Sequence, residues 1–221
     1  MHHPQQVNFL RLLATLVSVL VAQSLVHPND GAAPVLLHLF FVTSLAIAAA
    51  SVAGQGTVRF SVYALGIVAF SSGWAAIWFP LRPVQLLVFA SHLGFFSLVC
   101  MNVLRHLFRR STVGKNELYA VCCVYLLAGI AWAFLFAFIH TFVPESFDLT
   151  RGSGDEFGDL LYFSLVTLAT IGYGDIVPLS KFARMAAVLE ALFGQVFLAI
   201  LVARLVTSVR GTKHDELAPN E

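Results

Sequence analysis

Charged side chains are scarce in this chain. Lys, Arg, Asp and Glu make up 11% of its 221 residues, whereas hydrophobic residues make up 58% and the mean hydropathy is +0.83. A soluble domain needs a charged surface, and this composition cannot supply one. We therefore expect an integral membrane protein, without a nucleic-acid partner.

Cysteines are also few, and they stand within apolar runs at positions 100, 122 and 123. They form neither a disulfide framework nor a metal-binding spacing, so we predict that Cys100, Cys122 and Cys123 are small core residues. No phosphate loop or nucleophile elbow stands out either. Ser153, within Gly152–Asp155, lacks a strand-turn-helix context, and we interpret that stretch as a flexible loop. We expect no enzymatic activity and no cofactor.

Long apolar runs make up most of the sequence. A helix needs about 20 apolar residues to cross the hydrocarbon core, and six segments qualify: Val7–Val26, Val35–Ala53, Phe60–Phe79, Val84–Phe108, Leu118–Val143 and Phe182–Val209. The first is too long for a signal-peptide core and no cleavage site follows it. Short links with turn residues join the first four segments, which predicts an antiparallel up-and-down bundle. The expected fold is thus all-α with six transmembrane helices.

The stretch between the fifth and sixth segments differs from the rest. Pro144 to Gly158 is polar and acidic, and Asp159–Ala169 is an apolar run of helical length for only half a bilayer. A Gly-rich stretch, Thr170–Gly174, follows. Half a membrane helix followed by irregular backbone predicts a re-entrant loop, because such backbone survives at membrane depth only inside protein or along a water-filled path.

The distribution of Lys and Arg predicts the orientation. With the N-terminus inside, the cytoplasmic side collects Arg11, Arg59, Arg105, Arg109, Arg110, Lys115, Arg204, Arg210 and Lys213. The outer side receives Arg82, Arg151, Lys181 and Arg184. Because cytoplasmic loops carry the excess of basic residues, both termini are expected in the cytoplasm, with the re-entrant loop entering from outside. Arg105, Arg109 and Arg110 are candidate contacts for anionic lipid.

Thr170–Gly174 has the composition of a cation site built from backbone carbonyls. Gly172 and Gly174 allow backbone conformations that other residues resist, and Ile171 and Tyr173 between them are bulky enough to pack outward and hold a ring diameter. The carbonyls of residues 170 to 173 and the Thr170 hydroxyl are the candidate ligands. The half-helix before this stretch points its C-terminal, partially negative end at the central cavity, which favours a cation there.

The run Thr167–Asp175 resembles the T-x-x-T-x-G-Y-G-D pattern of potassium channels at every specified position. The resemblance covers about Glu117 to Val209, the two-helix pore module. It implies a homotetramer, with K+ ions in a selectivity filter formed by Thr170, Ile171, Gly172, Tyr173 and Gly174. Residues 1–116 are then an N-terminal bundle, 117–209 the pore domain, and 210–221 a short cytoplasmic tail.

The sixth segment carries the candidate gate and cavity residues. Family channels usually have a hinge glycine midway along this helix, and Gly194 stands at the matching distance. A close helix contact is the alternative reason for a glycine there. Gln195, Leu198 and Val202 share one helical face and are expected to line the cavity.

Glu190, out of phase with that face, is expected to support the filter together with Thr167 and Asp175. Its carboxyl should accept or donate a hydrogen bond near Tyr162, Ser164 or Thr167, and the alternative is a titrating group that couples pH to the filter. His38, His92 and His140 are lone histidines in apolar runs. For them we favour buried, hydrogen-bonded or interfacial positions over proton sensing.

Gating charges are missing from the fourth segment, which contains His92 and, at its cytoplasmic end, Arg105, with nothing between them that could be a gating charge. A voltage sensor needs several charges in the field, because each is worth only about 2.3 kcal/mol per 100 mV. We therefore expect a passive, potassium-selective channel of the plasma membrane with weak or no voltage dependence. The alternatives are a less selective cation channel, or one gated by lipid, tension or a small ligand through the N-terminal bundle. A transporter subunit is disfavoured, because such chains carry four pore loops.

Overall fold

The protein is almost entirely helical where the computed structural model describes it, at residues 9–25, 57–109 and 114–215. Within these ranges there are six helices: α1 (Phe9–Leu25), α2 (Thr57–Trp78), α3 (Arg82–Arg109), α4 (Lys115–Phe142), α5 (Glu156–Leu168) and α6 (Lys181–Asp215). Two very short strands, β1 (Phe147–Asp148) and β2 (Val177–Pro178), pair antiparallel. The predicted all-α membrane class agrees with this architecture.

Four of the described helices are long and apolar enough to cross a bilayer, over Phe60–Trp78, Arg82–Phe108, Lys115–Phe142 and Lys181–Arg204. They coincide with the third to sixth predicted segments. The first predicted segment corresponds to α1, whose apolar part, Phe9–Gln23, is shorter. The second, Val35–Ala53, lies outside the described residues, as does His38.

The helix ends follow local chemistry. Pro80 lies in the three-residue break between α2 and α3, and Pro83 stands in the first turn of α3, where a missing backbone N–H costs nothing. At the start of α4 the Gly114 N–H donates to the Glu117 carboxylate at 3.0 Å. The end of α4 is bonded from outside that helix: the Arg82 guanidinium donates to the carbonyls of Thr141 and Phe142, both at 2.9 Å.

The first helix lies along α4. At one end the Phe9 N–H donates to Asn116 Oδ1, and at the other Gln23 Nε2 donates to Asp155 Oδ2, each at 3.1 Å. These contacts make α1 parallel to α4, while α2 packs on α3 and α3 packs along α4. Of the described N-terminal helices, α1 and α3 therefore pack against the fifth predicted segment, and α2 packs on α3.

One hydrophobic cluster runs from α1 through α3 and α4 to α5. Phe96 of α3 stacks on Phe134 of α4 at 5.5 Å between ring centroids, and Phe134 in turn contacts Phe157 of α5 at 4.7 Å. This aromatic cluster crosses the predicted boundary at residues 116 and 117. The division into an N-terminal bundle and a pore domain stays a prediction.

The prediction that all three cysteines are core residues is wrong for Cys122. Cys123 is buried and Cys100 is half-buried, but Cys122 is exposed on α4. Neighbouring residues of a helix lie about 100° apart, so Cys122 and Cys123 cannot both face the same core.

Candidate functional site

The half-length helix α5 positions the candidate filter. Its 13 residues rise about 20 Å, against a hydrocarbon core of about 30 Å. It begins at Glu156, three residues before the predicted start, and a loop closes against it where Asp159 accepts hydrogen bonds from the N–H and hydroxyl of Ser153 at 2.7 and 2.8 Å. The Ser153 hydroxyl thus has a structural partner in the loop.

The C-terminus of α5 ends in a Schellman motif. The Ile171 N–H bonds the Val166 carbonyl at 2.8 Å and the Thr170 N–H bonds the Thr167 carbonyl at 2.9 Å. This motif needs a left-handed residue after the helix, usually Gly, and here Thr170 takes that place with φ of +56°. A β-branched residue in this region is a genuine outlier, and strain of about 1–3 kcal/mol is typical of functional sites.

The signs of φ alternate along the candidate filter. Thr170, Gly172 and Gly174 have φ of +56°, +53° and +77°, while Ile171 and Tyr173 between them do not enter the positive region. Alternation between left- and right-handed conformations turns successive N–H groups to one edge of a chain, so that the carbonyls face the other. The prediction from glycine spacing covered positions 172 and 174. It missed Thr170, since nothing in the sequence marks a threonine as left-handed.

The candidate filter lies open in the single chain. Ile171 is 54% exposed and Tyr173 is 70% exposed, and a Cβ added to Gly172 or Gly174 would meet nothing within 4 Å. One ring contact is made: Tyr173 stacks parallel to Tyr162 of α5, with centroids 6.5 Å apart. One chain therefore does not bury the side chains predicted to pack outward.

Two contacts hold the C-terminal end of the candidate filter. The Tyr162 hydroxyl donates to Asp175 Oδ2 at 2.8 Å, and Asp175 Oδ1 accepts the Ile176 N–H at 3.1 Å. Beyond Asp175, β2 pairs with β1, and the Leu179 N–H bonds the Ser146 carbonyl at 2.8 Å. The segment after the candidate filter is thereby attached to the loop and strand that follow α4.

The Tyr162–Asp175 hydrogen bond predicts a specific pH dependence. Donation from Tyr162 is the main cause that holds the pKa of Asp175 below its usual range. A depressed pKa stabilises the folded state above the unfolded pKa of about 3.9, and this contribution is lost as the pH falls through the lower folded value. Tyr162→Phe should therefore lower the thermal midpoint by a constant amount above about pH 5, and by progressively less below it.

Thermal midpoints of purified wild type and variant, measured from about pH 6 to about pH 3, test this expectation. Tyr119→Phe, a change at the start of α4, is the matched control and should retain the wild-type profile. A Tyr162→Phe difference that stayed constant down to the lowest pH would contradict the assignment.

Helix α6 approaches the end of α5 at Gly194. A Cβ at this position would collide with the Leu168 carbonyl oxygen. The same carbonyl accepts a hydrogen bond from the Tyr125 hydroxyl of α4 at 3.0 Å. The close contact provides a packing reason for this glycine, whereas its role as a hinge stays a prediction. Tyr125 was not singled out from the sequence, because a tyrosine in an apolar run carries no mark of its partner.

The predicted cavity residues Gln195, Leu198 and Val202 are all exposed on one face of α6. Gln195 Nε2 donates to Thr170 Oγ1 at 3.2 Å, which places the amide beside the first residue of the candidate filter. Thr167, predicted as filter support, contributes its carbonyl to the helix end. Gln195, Thr170 and Thr167 therefore lie together at the C-terminal end of α5.

The opposite face of α6 carries Glu190, which is fully buried. Of the partners considered from the sequence, Ser164 is the one that it meets, at 2.6 Å, whereas Tyr162 bonds Asp175 instead. His92 is likewise buried, with Nδ1 at 2.8 Å from the Val88 carbonyl and its ring stacked on Phe134. His140 lies half-buried beside Phe147.

Comparison with known proteins identifies the same region. A family model described as "Ion channel" matches residues 120–210. The chain is 36% identical over 86 residues to Two pore potassium channel c of Oryza sativa subsp. japonica, which covers 39% of this chain and 18% of the relative. It is 51% identical over 51 residues to Two-pore potassium channel 5 of Arabidopsis thaliana, or 23% and 12% of the two chains. These relatives are channels, which are not enzymes.

A bacterial protein is also similar. Protein LctB of Geobacillus stearothermophilus is 36% identical over 67 residues, which are 30% of this chain and 49% of that protein. The chain spans less than a quarter of the length of the two plant relatives. The similarity therefore concerns only a part of each of these proteins.

Proposed function

We propose that this chain is a subunit of a potassium-selective channel. The match of residues 120–210 to an ion-channel family model and the similarity to two-pore potassium channels support this proposal. K+ passes down its electrochemical gradient, coordinated by the carbonyls of residues 170 to 173 and by the Thr170 hydroxyl. The observation that carries the proposal is the alternation of φ at Thr170, Gly172 and Gly174 directly after a half-length helix. Such a strand offers a row of oxygens that replaces the hydration shell of the ion.

The channel is a homotetramer. A single strand of carbonyls cannot surround an ion, whereas four strands about one axis form closed rings. The exposure of Ile171 and Tyr173 supports this assembly, because neighbouring subunits would cover both side chains. The exposed apolar face of α6 supports it too, with Leu192, Val196 and Val202 each more than half exposed.

Each subunit crosses the plasma membrane six times with both termini in the cytoplasm. The contacts of the described helices support a common outer end, because Gln23 meets Asp155 and Arg82 meets the end of α4. The candidate filter then opens to the outside. On the inner side, Arg105 is exposed beside the expected headgroup region and is available to anionic lipid, while the side chains of Arg109 and Arg110 lie outside the described set.

Opening depends little on voltage. Between Arg82 and Arg105, α3 has no Arg or Lys that could move through the field.

Gating by lipid, tension or a small ligand through the N-terminal helices is favoured by one observation: Phe89 of α3 stacks on Phe157 of α5, with planes 9° apart. Movement of α3 would therefore act directly on α5, the helix that precedes the candidate filter.

Reconstitution of the purified protein into a planar bilayer tests the function. With a tenfold K+ gradient and equal Na+, the reversal potential should approach the K+ equilibrium value, and the conductance in symmetric K+ should change little over a voltage ramp. A reversal potential well short of the K+ equilibrium value, between that value and zero, would favour the less selective cation channel. One that ignored the K+ gradient would overturn the proposal, and a steep conductance-voltage curve would overturn the expected voltage independence.

A further inference from the structure

A chain of short oxygen contacts joins three helices behind the candidate filter. The Ser164 hydroxyl of α5 lies 2.6 Å from Glu190 Oε1 of α6 and 2.7 Å from the Gly129 carbonyl oxygen of α4. Ser164 and Glu190 are both fully buried. At these distances each contact is a hydrogen bond, so each needs its own proton.

The proton count determines which group donates. A serine hydroxyl has one proton and a backbone carbonyl has none. The contact with Gly129 therefore takes the Ser164 proton, and the contact with Glu190 needs a second one. A carboxylate would bring two acceptors to the single Ser164 proton, whereas a carboxylic acid supplies the missing donor.

No other described group supplies that proton. The Tyr125 hydroxyl of α4 faces the same region, but it donates to the Leu168 carbonyl at 3.0 Å. Among residues 9–25, 57–109 and 114–215, no Lys or Arg pairs with Glu190, and its Oε2 is buried without a hydrogen-bond partner. An ionised carboxylate in such a place would lack both a counter-ion and a second hydrogen bond.

We infer that Glu190 is held as the neutral acid and donates to Ser164, which donates to the Gly129 carbonyl. This chain of two hydrogen bonds ties α6 and α4 to α5, one turn before Leu168 and Gly194 meet. Glu190 is thus a positioning residue: it acts on the filter through α5 and does not touch the ion. The inference rests on the proposed function for its effect on permeation, but not for the state of the carboxyl.

Infrared spectroscopy of the purified, lipid-reconstituted protein tests the acid form without any measurement of current. At neutral pH the wild type should show the carbonyl stretch of a protonated carboxylic acid, and Glu190→Gln should abolish it. Glu156→Gln, which changes an exposed carboxyl in the first turn of α5, is the matched control and should keep the band. Absence of the band in the wild type, or its persistence in Glu190→Gln, overturns the inference.

Ser164→Ala tests the direction of donation in the same spectra. It removes the acceptor of the Glu190 proton, so the band should shift to higher frequency while remaining present. An unshifted band would mean that Glu190 does not donate to Ser164, and would overturn the chain.

The positioning role is tested by comparing two substitutions of similar volume. Gln keeps an N–H donor towards Ser164 and Leu does not, so the K+ to Na+ permeability ratio should fall about tenfold further in Glu190→Leu than in Glu190→Gln. Equal ratios in both variants would overturn the role. If the Leu variant does not assemble, Ser164→Ala replaces it in this comparison. A wild type with the infrared band but no K+ current would reject the proposed function alone.

Discussion

Gly172→Ala is expected to abolish potassium-selective current while the subunits still assemble. Gly172 has φ of +53°, a region in which a residue with a Cβ costs about 1–2 kcal/mol. In the proposed tetramer the cost recurs in every subunit, and the strand can relieve it only by turning its peptide groups, which removes carbonyls from the proposed ring. Nothing lies within 4 Å of the added Cβ, so the variant tests the backbone and not a steric clash.

Gly154→Ala is the matched control for this experiment. Gly154 also has a left-handed φ, of +91°, with nothing within 4 Å of an added Cβ, but it lies in the loop before α5. It should suffer a similar backbone penalty and keep K+ current. Currents in reconstituted bilayers and size-exclusion profiles of both variants provide the comparison. A selective current of wild-type size in Gly172→Ala would contradict the assignment of the filter.

Gly194→Ala is expected to destabilise the protein. The new methyl group would collide with the Leu168 carbonyl, a backbone atom at the end of α5 that cannot move aside without disturbing the helix end. Overpacking of this kind costs about 1–3 kcal/mol, well above the gain of up to about 1 kcal/mol from replacing Gly by Ala within a helix. The thermal midpoint of the purified protein should therefore fall, and the K+ current should fall with it.

Gly94→Ala on α3 is the matched control, because it makes the same substitution within a helix but next to a flexible side chain instead of a backbone atom. Its Cβ would first meet Leu65 Cδ2 at 3.3 Å, the end of a flexible side chain, so its midpoint should change little. The pair separates the two interpretations of Gly194. A hinge predicts an unchanged midpoint with impaired opening, whereas close packing predicts a lowered midpoint. An unchanged midpoint in Gly194→Ala would reject the packing explanation.

Local sequence patterns were sufficient to predict the described helices and the position of the candidate filter. Apolar length predicted α2, α3, α4 and α6 to within a few residues, and the half-length run after a polar stretch predicted α5. These features depend on residues near one another in the chain. The spacing of Gly172 and Gly174 worked for the same reason, because each glycine marks its own backbone conformation.

Long-range partners could not be predicted in this way. The packing of α1 along α4 joins residues more than 100 positions apart, and no periodicity encodes it. The hydroxyl of Ser164 could be placed near Glu190, but its bond to Gly129 depends on how closely α4 approaches α5, which a Cβ at Gly129 would oppose by meeting Leu165 Cδ2 at 2.8 Å. Cys122 was misplaced because an apolar neighbourhood does not tell which face of a membrane helix is covered.

Thr170 has a left-handed backbone, and at this position the stability of the fold and the proposed ion selectivity favour different residues. Glycine there would relax the end of α5, since it is the residue that Schellman motifs ordinarily use. The same replacement would delete the one side-chain oxygen in the row of proposed ligands, and with it the acceptor for Gln195. Selection for a more stable fold and selection for ion discrimination therefore favour different residues at position 170, and a thermostabilised variant obtained by screening for stability alone should be checked there first.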